Sequence, residues 1–107
     1  MAGSEDKKKA QENKFAHDSE MQFKAQARRN KLLGLWVAGK MGLPVDEAET
    51  YAKNLVVEGL KEAGDENIIR KLAGSFSEHG LEITEAVIRT QIEALTVEAR
   101  DQVLSES

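Results

Sequence analysis

Cysteine is absent from the 107 residues, which excludes disulfides, thiolate nucleophiles and any Cys-based zinc site. A chain without disulfides suits a reducing cytoplasm. Proline occurs once, at Pro44, so nearly the whole chain is free to be helical. Aromatics make up 5% against 40% hydrophobic residues, so the core has to be built from Leu, Ile, Val and Ala. That composition favours helix-on-helix packing over a sheet, where β-branched and aromatic residues would dominate. No stretch approaches the ~20 apolar residues of a membrane-spanning helix. The opening MAGSEDKKK has no apolar core after its charges and does not read as a secretory signal.

Catalytic constellations are equally scarce. None of Ser4, Ser19, Ser75, Ser77, Ser105 and Ser107 lies in a G-x-S-x-G elbow. His79 falls at the end of a helical pattern, where a cationic ring favours the helix dipole, so it reads as a cap and not as a base. His17 stands beside Asp18 in a segment too weakly patterned for the fixed geometry of general-base chemistry. It is better placed as a pH-sensitive contact. The acids Asp46, Glu47 and Glu49, and Glu62, Asp65 and Glu66, sit where helix N-termini favour negative charge, and neither group has a metal-binding spacing. No metal site and no enzymatic activity are expected.

What is present is helical periodicity over one domain's length. Residues 1–18 form a flexible arm that is charged, poor in apolar groups and free of helix breakers after Gly3, so it can fold when a partner supplies a groove. Residues 19–107 form a four-helix, bundle-like domain. Ser19 caps a first helix reaching about Met41, with Met21, Ala25, Leu32, Leu35, Trp36 and Gly39 on one face. Gly34 inside that helix implies close approach of another backbone, since it costs about 1 kcal/mol relative to Ala. Gly42 and Pro44 end it. Asp46 with Glu49 opens a second helix in a capping-box-like arrangement, with Ala48, Tyr51, Ala52, Leu55, Val56 and Gly59 as its stripe. Asp65 caps a third, whose Ile68, Ile69, Leu72, Ala73 and Phe76 point inward before Gly80 closes it. Thr84 caps a fourth, with Val87, Ile88, Ile92, Leu95 and Ala99 buried and fraying after Arg100. Leu81–Ile83 has extended character but no strand to pair with.

The net charge of −4 conceals a strong asymmetry. Residues 21–41 carry Lys24, Arg28, Arg29, Lys31 and Lys40 with no acid, whereas residues 42–107 carry fourteen acids and six bases. The favoured reading is a basic helix packed among acidic ones. The overall sign argues against nucleic acid. Lys24, Arg28, Arg29 and Lys31 are the candidate contacts for a weakly held ATP or ADP, with Trp36 as a stacking surface. Against it stand the lack of a Gly-rich phosphate loop and the simpler alternative, an ion-paired face beside a core tryptophan. No obligatory cofactor is expected.

The blocks ENKFAHD (Glu12–Asp18), ARRNKLLG (Ala27–Gly34) and Leu35–Trp36 resemble the signature of the alphaproteobacterial zeta family, the ATPase inhibitor subunit of the F-type ATP synthase. GLP-x-x-x-A-E-x-YAK around Gly42–Lys53 and AGDENIIRKL from Ala63 to Leu72 extend the likeness over nearly the whole chain. The resemblance implies a four-helix domain docked on the catalytic head, formed by the alpha and beta subunits. It also implies an N-terminal arm inserted beside the central-stalk gamma subunit, blocking rotation in the hydrolytic direction. Carried onto this sequence, the arm contacts are Lys8, Lys9, Glu12, Asn13, Lys14, Phe15, His17 and Asp18. Phe15 is the apolar anchor, and Lys14 and Asp18 are spaced to support a helix. The implied protein is a monomer when free, cytoplasmic, and peripheral to the membrane through the synthase. The Lys7–Lys9 triple departs from the mixed-charge run common at this point of the family arm, which leaves potency to be set by the arm's own contacts.

Overall fold

The computed structural model describes residues 18–106, and among them the chain forms four helices and no strand. These are α1 (Ser19–Lys40), α2 (Val45–Lys61), α3 (Glu66–Glu78) and α4 (Glu85–Glu106). The all-helical class expected from composition and periodicity is what the chain adopts. Residues 1–17, the greater part of the expected arm, lie outside the described residues.

The helix ends follow local chemistry, with two corrections. α1 is capped by Asp18 and not by Ser19: the Asp18 carboxylate accepts from the backbone N–H of Glu20 at 3.0 Å and of Met21 at 3.2 Å. A carboxylate opposes the helix dipole as well as satisfying the free donors, so it outcompetes the neighbouring hydroxyl. α2 starts directly after Pro44, one residue before Asp46, and has no side-chain cap bond. Asp46 and Glu47 thus act on the dipole from the first turn, and the capping box read from Asp46 and Glu49 does not form.

α1 and α3 end alike. Gly42 and Gly80 adopt φ of +72° and +69°, and the N–H of Leu43 and Leu81 bonds back to the carbonyls of Ala38 and Phe76 at 3.0 and 2.8 Å. This is the glycine-terminated turn of a Schellman motif. Thr84 caps α4 as expected, its hydroxyl accepting from the Val87 N–H at 3.3 Å.

The main core joins Leu33 and Val37 of α1, Leu55 of α2, Ile69, Leu72 and Phe76 of α3, and Ile88, Ile92 and Leu95 of α4. Each such side chain contributes about 1.5–3 kcal/mol by leaving water. The ring of Trp36 packs edge-on to Phe76, with centroids 5.7 Å apart. Leu81 and Ile83, the stretch of extended character, are half-buried against the same core. The α1 stripe is shifted from expectation: Leu35 and Gly39 are exposed, whereas Leu33, Gly34, Val37 and Ala38 are buried. The cause is that α1 packs against both α2 and α4, so its buried arc is wide and its edges are hard to fix from periodicity. Val87, expected inside on α4, is exposed.

α1 and α2 cross at Gly34, where a Cβ would lie 2.6 Å from the Ala52 Cα, which is the close backbone approach that the glycine implied. One turn earlier in α1, Asn30 packs over Gly59. α1 and α4 then continue together past the α2–α3 turn. There Met21 and Ala25 bury Val103, with Leu104 packed alongside. That contact carries α4 to Glu106, where fraying after Arg100 had been expected.

Candidate functional site

α1 outlasts α2 and α3, so the sides of its first three turns that face those helices lower down are open. α4 lies across from it, and between them sits a cavity of about 400 Å³. Gln22, Gln26 and Arg29 of α1, Thr96 and Arg100 of α4, and Gly64 and Asp65 of the α2–α3 turn line it.

Arg29 forms the cavity's floor and is only 8% exposed. Its guanidinium donates to both carboxylate oxygens of Asp65, Nη2 at 2.8 Å and Nη1 at 3.1 Å. Nε and Nη2 also donate to the Asn30 side-chain oxygen, at 3.1 and 2.8 Å. A buried cation is tolerable only with its donors satisfied in this way. Asp65 occupies the N-cap position of α3, as the sequence indicated, but its carboxylate turns to Arg29 and gives α3 no cap bond. The capping acid is thereby spent on tying the α2–α3 turn to α1.

The four basic candidates do not converge. Arg28 reaches across to α4, bidentate to Glu106 at 2.7 and 2.9 Å and donating to Gln102 at 2.8 Å. That hydrogen-bonded pairing holds the Glu106 carboxyl below its ordinary pKa and raises the Arg28 guanidinium. Lys24 pairs with Glu20 one turn away, at 3.4 Å. Lys31 is exposed and points away from the cavity, while Arg29 alone of the four lines it. Of the candidate nucleotide contacts, Lys24 and Arg28 are thus ion-paired at the surface, Arg29 is paired in the cavity and Lys31 is exposed. Trp36 packs on Phe76 as a core residue.

Of the arm candidates, Asp18 is the helix cap of α1. Lys8, Lys9, Glu12, Asn13, Lys14, Phe15 and His17 lie outside the described residues. His79 is the C-cap residue of α3 and its Nδ1 bonds the Ser75 carbonyl at 2.9 Å, the capping role read from its position. Among the described residues no group of three or more His, Cys, Asp or Glu could hold a metal ion, and no helix is long and apolar enough to cross a membrane.

Arg100, Thr96, Gln22 and Gln26 were not singled out from the sequence. The available signal was weak: Thr96 and Arg100 are four apart and flank the buried row of Ile92, Leu95 and Ala99.

Comparison with known proteins bears on the whole chain. A solved NMR structure matches with a TM-score of 0.71 and 44% sequence identity, covering 81% of this chain and 99% of the other. A search of curated sequences returned no significant match. The family model of ATPase inhibitor subunit zeta matches residues 1–102, which takes in the arm, the Asp18 cap, the Arg29–Asp65 pair and nearly all of α4. The chain therefore belongs to the family of the ATPase inhibitor subunit zeta.

Proposed function

We propose that this protein binds the catalytic head of the F-type ATP synthase and blocks ATP hydrolysis, with residues 1–17 as the inhibitory element and the four-helix domain as the anchor. The family match carries this reading, because it starts at residue 1 and includes the entire segment ahead of the Asp18 cap. In this reading the arm enters between the alpha and beta subunits beside gamma and orders there as a helix. Phe15 supplies the apolar anchor, and Lys8, Lys9, Glu12, Asn13, Lys14 and His17 supply polar contacts. The protein acts as a monomer on the cytoplasmic side, held near the membrane only through the synthase.

Deleting residues 1–17 leaves Asp18 in place, so α1 keeps its cap and the domain keeps its start. The truncated chain is expected to bind the purified catalytic head while losing its inhibition of ATP hydrolysis. Full-length protein that leaves hydrolysis untouched at saturation refutes the inhibitor reading. Undiminished inhibition by the truncated chain assigns the effect to the four-helix domain instead.

A second reading, recognition of ATP or ADP, is favoured by the cavity of about 400 Å³, which Arg100 lines beside the Arg29–Asp65 pair. Amide NMR shifts at Gln22, Gln26, Thr96 and Arg100 during ATP titration test it. A cavity that shows no shift at millimolar nucleotide is not a nucleotide site.

A further inference from the structure

Seven large apolar side chains are exposed among the described residues, and three of them, Phe23, Leu35 and Leu60, lie in neighbouring rows of α1 and α2. On α1, Phe23, Ala27, Lys31 and Leu35 are spaced four apart and form one row about 18 Å long. Phe23 is 55% exposed and Leu35 36%. On α2, Glu49, Lys53, Val56 and Leu60 follow at four, three and four residues, forming a second row in which Leu60 is 52% exposed. The crossing points, Gly34 on Ala52 and Asn30 on Gly59, fix how the helices lie against each other. The core-facing side of α1 carries Leu33 and Val37, and the α3-facing side of α2 carries Tyr51, which bonds Ser75, and Glu58, which pairs with Lys71. The two rows therefore flank the opposite, outward side of the α1/α2 seam. The result is a shallow groove whose sides alternate exposed Phe23, Leu35 and Leu60 with Lys31, Lys53 and Glu49, over half-buried Ala27 and Val56.

Its charge is also distinctive. α1 has no acid beyond Glu20, and Lys31 and Lys53 make no ion pair among the described residues. Four other basic groups are paired between elements, Arg28 with Glu106, Arg29 with Asp65, Arg89 with Glu66 and Lys71 with Glu58, whereas Lys40 and Arg70 share the lack of an ion pair among the described residues. Exposed apolar groups interspersed with two lysines that make no ion pair among the described residues fit an occupant that is apolar on one face and acidic beside it. Glu49, one turn before Lys53 on α2, bounds that complementarity at the end of the groove nearest the start of α2.

We propose that the outward α1/α2 groove, with Phe23, Leu35, Val56 and Leu60 as apolar contacts and Lys31 and Lys53 as charged ones, docks an acidic amphipathic helix of the partner. This rests on the proposed function and gives the four-helix domain its anchoring face. Binding there would hold α1, and with it the start of the arm, against the partner. The apolar contacts supply affinity by filling the groove, and the lysines steer the approach and set its salt dependence.

The test uses the full chain and the purified catalytic head, with binding and ATP hydrolysis measured side by side. Leu60→Asp and the double variant Lys31→Glu/Lys53→Glu alter the groove. Val97→Asp places the same charge on an exposed apolar residue of α4, well away from the groove. Circular dichroism spectra and melting temperatures matching the parent confirm that each variant folds. Both groove variants are expected to weaken binding at least tenfold, Val97→Asp to leave it within twofold, and the lysine effect to shrink in 0.5 M salt. Parent-like binding by both groove variants overturns the docking face while the inhibitor reading stands. Loss with Leu60→Asp alone overturns the acidic chemistry of the partner. A parent chain that binds no catalytic head overturns the groove together with the function it rests on.

Discussion

At the level of Leu33 and Val37, α1 has helices on two sides, and the space between them is filled by Leu72, Phe76 and Ile88, each fully buried. At the level of Met21 and Ala25, only α4 remains beside it, and the apolar contact shrinks to Val103 and Leu104. Two helices cannot enclose a core, so polar links take over at this end. Arg28 clasps Glu106 and Gln102, and Arg29 clasps Asp65 and Asn30. The basic character of α1 is therefore what holds its two-helix end to acidic partners on other elements. Geometry decides which force is used: enclosure gives hydrophobic burial, and its lack leaves charge-assisted hydrogen bonds.

The contrast is broken most severely from the enclosed end. Phe76→Ala removes a fully buried ring and its contact with Trp36, and is expected to cost about 3–5 kcal/mol, read from chemical denaturation. That is a large share of the ~5–15 kcal/mol typical of a domain. Arg29→Ala, at the other end, leaves Asp65 and Asn30 without their donor. A fully buried pair would lose about 3–5 kcal/mol, but Asp65 is a third exposed and can rehydrate, so about 2 kcal/mol is expected. A loss as large as that of Phe76→Ala would mean the polar end is not the weaker one.

Gly34→Ala sets two effects against each other at the α1/α2 crossing. Alanine gains about 1 kcal/mol of helix propensity. The methyl meets the Ala52 Cα at 2.6 Å, and backbone cannot turn aside as a side chain can. Overpacking of this kind costs about 1–3 kcal/mol, so a net destabilisation of about 1 kcal/mol is expected from thermal melts.

Native-state hydrogen exchange probes the comparison without mutation. Amides of Met21–Arg28 and Arg100–Val103 are expected to exchange through local opening, well before those of Leu33–Val37 and Ile88–Leu95, which should require global unfolding. Equal protection at both ends would show that the polar links couple the extension fully to the core.

The smallest effect is acid-linked. Glu106 has its folded pKa lowered by Arg28, Glu66 by Arg89, and Glu58 by Lys61 and Lys71. A depressed carboxylate contributes stability above its unfolded pKa, near the ordinary 4.5, and loses it as pH falls through the lower folded value. Melting temperature is thus expected to fall below about pH 4.5. Glu106→Gln should flatten that fall slightly, and added salt should mimic it, since all three groups are exposed.

The helices and several of their ends were legible because their causes are local. Gly80 needs a positive φ, Thr84 precedes an apolar period, and Gly34 in a helix signals a neighbouring backbone. What escaped prediction depends on partners far along the chain. Nothing near Arg29 in sequence announces a buried cation, because its carboxylate stands 36 residues away. α4 was expected to fray because Val103 and Glu106 find their partners only on α1. The choice between Asp18 and Ser19 as cap was local but too close to separate by residue type alone. The cavity residues Gln22, Gln26, Thr96 and Arg100 share a site only because α2 and α3 stop where they do.

Asn30 and Gly59 form a matched pair of features whose consequence is uniqueness. The amide is 1% exposed, spends its oxygen on Arg29, and rests over the one position of α2 that offers no side chain. Sliding α2 by a turn would set that amide against Leu55 in one direction or carry it past the helix end at Lys61 in the other, and would pull Asp65 away from the Arg29 donors in the same move. A leucine at residue 30 would be more hydrophobic and indifferent to such a slip, in the way that a lone buried asparagine selects one register of a coiled coil and apolar residues do not. The pair works as a detent: it gives the α1/α2 seam a single resting position, and so fixes where every surface residue of those two helices points.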